Sequence, residues 1–374
     1  MSASTGIQEQ AAIMTDYVAG WKDNGGKVLA YACVATPVEI LEAAGLLPYR
    51  LKALGNPDTY LADGELSLLN CSFCRSCLQL GMDGTYDFLD GLIETNGCDH
   101  MRVMFENWQR VKEPDFFHYL KVPHFFRDDS LEYFEGELEL LRDAISEHFS
   151  VEVSDEDLLG AMKTQNEVRS KYRELCSLRE REKPVVTGSE VLALVVNGSS
   201  VRAGDYLEEL SRFVEERKDA TGETPGARLM LCGAATDEVV WFGEIERMGG
   251  LIVADAQCFG ARAFCQEYDL DGNPIHTLAV SYLSNLYCPR MYTEYTKRRD
   301  FILDTAKRAN VEGVIVLYNK FCDLHGVDAV LLRRDLAEEG IPVLILEKEY
   351  SAKADIGRVR TRIQAFMEKI GGGA

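Results

Sequence analysis

No stretch of the 374-residue chain approaches 18 consecutive apolar residues, so nothing in it reads as a membrane span. The opening MSASTGIQEQAAIMTDYVAGW has no basic run leading into an apolar one; no signal peptide is expected, and the protein is assigned to the cytoplasm. Positive charge is also scarce. Forty Lys and Arg against 61 Asp and Glu leave a formal net charge of -21, a surface that phosphate backbones repel, which excludes general nucleic-acid binding. The signatures GxSxG, HExxH and GxGxxG are missing. Gly25-Gly26-Lys27 comes nearest to a phosphate-binding loop, but Trp21 stands where its first Gly belongs and Val28 where Ser or Thr belongs. The chain is not expected to hydrolyse ATP by itself.

What is present is an ordinary globular composition, 46% hydrophobic and 27% charged, over a length that suggests two or three domains and needs no disulfide staples. The unusual feature is eleven cysteines in a compartment that keeps thiols reduced. Burial as small apolar residues accounts for Cys33, Cys176 and Cys265. It fits the others poorly.

Strand and helix alternate at both ends of the chain. Lys27–Val34 reads as a buried strand, and Thr36-Pro37-Val38-Glu39 as a capping box opening a helix that stops at Gly45. Pro48–Leu51, Gly91–Thr95 and Tyr119–Pro123 read as strands and Asp99–Val111 as a helix. From Ser130 to Glu216 the pattern is helical, followed by a polar linker over Lys218–Pro225. Alternation then resumes: strands over Arg228–Cys232, Leu251–Ala254, Gly313–Tyr318 and Val343–Leu346, helices over Asp237–Met248, Tyr292–Ala309, Asp328–Glu339 and Arg358–Ile370. Val-, Ile- and Leu-rich strands spaced by helices imply parallel sheets covered on both faces. The expected fold is α/β, with two doubly wound, Rossmann- or flavodoxin-like lobes (1–129 and 226–374) joined by a helical segment (130–225).

The lobes share a local pattern. Asp90-Gly91 through Asn96-Gly97-Cys98-Asp99-His100 and Glu312-Gly313 through Asn319-Lys320-Phe321-Cys322-Asp323-Leu324-His325 each run acid, Gly, strand, Asn, Cys-Asp and a nearby His. Ligands of open α/β sheets bind beyond the carboxyl ends of the strands, and a Cys at a helix N-terminus gains thiolate character. Cys232 ends a third strand. The bland alternative makes Asp99 and Asp323 helix N-caps and the cysteines packing; a repeated pattern favours function. Cys71-Ser72-Phe73-Cys74-Arg75-Ser76-Cys77 adds an iron–sulfur spacing without the ferredoxin continuation, and the same spacing would place three buried thiols on one helix face. Zinc competes as the metal, but no second close CxxC pair supports it. His118, His124, His148 and His276 are scattered and read as structural.

These residues match a known family. The chain resembles, over nearly its whole length, the smaller catalytic subunit of the 2-hydroxyacyl-CoA dehydratase and benzoyl-CoA reductase family. The markers are Thr36 to Gly45 with Leu47-Pro48, Cys71-Ser72 with Arg75-Ser76, Asp87 to Gly91, and Cys98-Asp99 with Trp108. Val122-Pro123, Phe321-Cys322-Asp323, Gly340-Ile341-Pro342 and Arg360-Thr361-Arg362 complete them. The resemblance implies an iron–sulfur cluster between the lobes on Cys71, Cys98 and Cys322, leaving Cys74 and Cys77 out of the ligand set. It implies a separate ATP-hydrolysing iron–sulfur activator, a homologous larger subunit and a CoA-thioester substrate. A dehydratase of this type passes one electron through the cluster to form a ketyl radical and expel the hydroxyl group; a reductase reduces an aromatic ring. After Cys322-Asp323 the chain reads Leu324-His325-Gly326, where many members have Pro, and the triple Cys is denser than usual. These departures keep open a homodimeric branch carrying a double-cubane cluster that reduces small molecules, and an electron carrier with no CoA substrate.

Overall fold

Val28–Tyr31 (β1) and Gly313–Asn319 (β7) carry apolar side chains at nearly every position, as strands covered on both faces do. The computed structural model describes residues 12–264, 267–350 and 352–371, with backbone alone for 352–355, so Cys265 lies outside the described residues. Two four-stranded, all-parallel sheets form, of order β2-β1-β3-β4 and β6-β5-β7-β8. The first uses Leu47–Arg50 (β2), Gly91–Thr95 (β3) and Phe117–Leu120 (β4) besides β1. The second uses Ala227–Gly233 (β5), Gly250–Ala256 (β6) and Val343–Lys348 (β8) besides β7. Each order reverses beside its first strand, the switch point at which such sheets leave a crevice.

The repeat seen in the sequence occupies equivalent places. β3 lies beside β1 and β7 beside β5. Asp90 Oδ2 accepts the Val28 N–H (2.9 Å), and Glu312 Oε2 accepts the Arg228 N–H (2.7 Å), so each acid caps the start of its sheet's first strand. Between the sheets run helices Asp128–Phe149 (α5), Asp155–Glu180 (α6), Gly188–Gly198 (α7) and Ala203–Arg217 (α8). Among the described residues no helix is long and apolar enough to cross a membrane.

Several local expectations need correction. The helix after β1 spans Val38–Ala43 (α2); its N-cap is Pro37 and no capping box forms. Thr36 Oγ1 is buried without a partner, and Glu39 turns inward onto Arg169 at 2.9 Å, because a buried guanidinium is a stronger partner than a backbone N–H. The last main helix-strand unit begins at Asp323, with α12 over Asp323–Glu338, five residues before the expected start. Gly25–Lys27 forms the turn between Asp16–Asp23 (α1) and β1, ahead of a strand, whereas a phosphate loop follows one.

One helix that the periodicity did not disclose, Pro274–Ser284 (α10), crosses to the first lobe. Ile275, Leu278, Tyr282 and Met291 join Leu29, Ile93, Phe134 and Leu141 in a single apolar cluster. A chain segment late in the sequence therefore completes the cover of the first sheet.

Candidate functional site

Cys71, Cys98 and Cys322 occupy the same local position. Each is the N-cap of a helix: Ser72–Met82 (α3), Asp99–Lys112 (α4) and α12. Asp99 and Asp323 are thus first helical residues and not the caps. None of the three thiols makes a full capping hydrogen bond, yet the N–H groups of Cys74, Met101 and His325 face the sulfurs and favour the thiolate. The Cys74 thiol, with the Cys74 and Phe73 N–H groups, brings Cys71 down to about 6. Burial pushes Cys98 up to about 12 and raises Cys322 well above the ordinary thiol range.

The three thiols, two from one lobe and one from the other, lie within electrostatic reach of one another. Cys71 and Cys98 each act electrostatically on Cys322, and Cys71 acts on Cys98. The His100 ring spans the gap: Nδ1 accepts the Cys71 N–H at 3.1 Å and rests against the Asn70 amide, while Nε2 lies 3.6 Å from Asp323 Oδ2. His325 does not mirror it; it is buried near Arg262 and Arg298. Cys74 and Cys77 are 2% and 0% exposed and belong to the apolar core, so the CxxCxxC run is one helix face with its first sulfur at the helix mouth. Cys232 packs into the second lobe's core.

Sequence reasoning missed a second set of thiols. Cys33, read as packing, lies just past β1; Cys258 lies just past β6; Cys288 lies in the loop after α10. Cys33 and Cys288 act on Cys98, Cys258 and Cys33 act on Cys288, and Cys288 acts on Cys322. Two buried cations stand among them. Arg262 Nη2 contacts Cys258 Sγ at 2.8 Å and Gly233 O at 2.7 Å. Arg290 binds backbone carbonyls of the first lobe. A tally of cysteines at strand ends would have found Cys33 and Cys258; nothing local marks Cys288.

Arg262 also lines a neighbouring cavity of about 120 Å³, whose wall includes Arg169, Tyr268 and Tyr282. There Tyr268 and Tyr282 donate to Glu39 at 2.6 and 2.8 Å. Burial raises both hydroxyls well above the phenol range, which keeps them protonated as donors.

The donor set suits a soft, anionic, polynuclear group. Thiolates are iron–sulfur ligands, helix N-termini favour negative charge, and buried arginines need anions. Among the described residues no three His, Cys, Asp or Glu side chains converge as ligands of a single ion.

Comparison with known proteins fits this architecture. Residues 33–370 match the family model described as "2-hydroxyglutaryl-CoA dehydratase, D-component". The chain is 24% identical over 352 residues to the (R)-phenyllactyl-CoA dehydratase beta subunit of Clostridium sporogenes, covering 93% of each. It is 26% identical over 339 residues to one of the subunits of benzoyl-CoA reductase from Thauera aromatica, covering 87% of this chain and 86% of that one. It is 25% identical over 382 residues to the (R)-2-hydroxyglutaryl-CoA dehydratase subunit beta of Acidaminococcus fermentans, covering 97% and 98%.

Proposed function

Because this chain belongs to the enzyme family of the 2-hydroxyglutaryl-CoA dehydratase D-component, we propose that it is the iron–sulfur subunit of a radical CoA-thioester enzyme of the 2-hydroxyacyl-CoA dehydratase type. The observation that supports the reading is that Cys71 and Cys98 of one lobe and Cys322 of the other each cap a helix N-terminus within electrostatic reach of one another. Cys71, Cys98 and Cys322 would hold the cluster, which would supply single electrons at low potential. In this reading the protein's own part is to offer three helix N-termini to the group, to bury Cys71 and half-bury Cys98 and Cys322, and to link the lobes through His100. The names of the relatives, each that of one subunit among others, support a complex with a partner subunit, which in this reading is the homologous larger one. In this reading ATP hydrolysis belongs to a separate activator, in keeping with a sequence in which no phosphate loop is found.

Anaerobically purified protein is expected to hold iron and acid-labile sulfide. Cys71→Ser, Cys98→Ser and Cys322→Ser should each lose most of the iron while far-ultraviolet circular dichroism stays native, and Cys74→Ser and Cys77→Ser should keep it. Zinc without sulfide in anoxic preparations, or an iron content indifferent to Cys98 and Cys322, refutes the assignment.

A second reading has its own observation. Cys33, Cys258 and Cys288 extend to six the thiols that influence one another electrostatically. Six thiols would hold a double-cubane cluster, the form expected of a homodimeric reductase of small molecules. About four irons per chain support the first reading, and about eight, lost partly on Cys33→Ser, Cys258→Ser or Cys288→Ser, support the second.

A further inference from the structure

We infer that Arg290 supplies a fixed positive charge that compensates the anionic group held by the surrounding thiols and sets its reduction potential. The inference rests on the iron–sulfur reading above and adds to it a residue with a defined electrostatic role. Arg290 is 2% exposed. Its Nη1 donates to Pro123 O at 3.0 Å, and Nη2 to Val122 O at 2.7 Å and Asn96 O at 3.4 Å; Nη1 also touches Met291 Sδ at 3.4 Å. All of these partners are neutral. Nε is buried and has no partner.

Three other buried arginines show what is missing, whereas Arg50, also buried, is held by carbonyls of Ala32 and Cys258 and lies over the Phe259 ring. Arg169 faces Glu39, Arg179 faces Asp255 and Arg298 faces Asp328, with separations of 2.9, 2.8 and 2.5 Å. Among the described residues no ion pair joins Arg290 to a carboxylate. A guanidinium cannot shed its proton in a protein, and a buried, unpaired charge is strongly destabilising. The groups whose charge does act on Arg290 are Cys33, Cys98 and Cys288. Thiolates there, or an anionic group that they hold, would supply the compensation that carboxylates do not.

The anchoring makes the charge effective. Asn96 opens the turn after β3, and Val122 and Pro123 follow β4, so carbonyls of the first lobe clamp a side chain that belongs to the later segment. A clamped charge in a dry site need not reorganise when the group beside it gains an electron. Positive charge there stabilises the more negative, reduced state and raises the potential.

The test uses the full chain, purified anaerobically, as wild type, Arg290→Lys and Arg290→Gln. Gln can still donate to a carbonyl but is neutral; Lys keeps the charge. Iron and sulfide are counted, folding is checked by circular dichroism, and midpoint potentials are read by electron paramagnetic resonance in a mediated titration. The expected result is that Gln makes reduction at least about tenfold less favourable, about 59 mV for one electron, or sheds the cluster outright, while Lys stays close to wild type. An unchanged potential in Gln, or equal shifts or equal losses in Gln and Lys, overturns the inference. If Gln does not fold, the Lys variant decides, since it must then keep both the iron and the potential of the wild type. A wild type without iron and sulfide refutes the iron–sulfur reading itself, an outcome distinct from any of these.

Discussion

Glu39→Gln is expected to be among the most damaging single-atom exchanges in the chain outside the thiol pocket. Glu39 is fully buried, with Arg169 at 2.9 Å and the Tyr268 and Tyr282 hydroxyls at 2.6 and 2.8 Å. The cluster joins α2, α6, the segment leading into α10 and α10 itself. Gln occupies the same volume and can still accept a hydrogen bond, but it leaves the Arg169 guanidinium without an anion. Removing one partner of a buried pair costs about 3–5 kcal/mol. At roughly 1.4 kcal/mol per decade, the middle of that range raises the unfolded fraction about a thousandfold. Urea titrations under anoxic conditions, followed by circular dichroism, would measure it. Glu39→Gln with Arg169→Met should recover much of the loss, because removing both charges relieves the unpaired ion. A loss under about 1.5 kcal/mol, the most that a capping side chain at the surface contributes, would refute the reasoning; so would a double variant that merely sums the singles.

Two further outcomes follow from buried groups elsewhere. Lys52 is 0% exposed, its Nζ on Ser200 Oγ at 2.9 Å, and burial brings its amine down to about 8. The unfolded chain keeps that proton to about pH 10.4, so the cost of burying the charge is constant below pH 8 and is relieved as pH climbs from 8 towards 10; the stability of wild type relative to Lys52→Met should rise over that window, and a flat difference would contradict it. At Gly81 an added Cβ would meet three Trp108 ring carbons at 2.5, 2.6 and 2.8 Å, so Gly81→Ala should lose about 1–3 kcal/mol and shift the tryptophan emission; unaltered stability would show that α3 and α4 have room to part.

The sheets were legible because their strands are apolar at almost every position and separated by helices of the right length. β3 coincides with the expected Gly91–Thr95, and the Asn-to-Cys turns after β3 and β7 reappear as equivalent junctions. Local chemistry misled where a distant partner was stronger. Glu39 looks like a capping residue until Arg169, 130 positions away, is placed beside it. The thiol site was half legible for the same reason. Cys98 and Cys322 sit in a repeated local context, whereas Cys288 and Arg290 follow a helix whose weak periodicity concealed it, and they gain meaning only when that helix crosses to the first lobe.

That crossing also constrains how the protein is made. The first sheet and α5 are complete once Phe149 has left the ribosome, but the apolar face that α10 and Met291 cover must wait another 142 residues, the difference between positions 149 and 291. At about 5–20 residues per second, a nascent chain carries that uncovered face for roughly 7–28 s. A fragment ending before α10 would carry it permanently and should be a client for chaperones. Cys322 emerges later still, so the three N-cap sulfurs cannot come near one another until both sheets have largely been made.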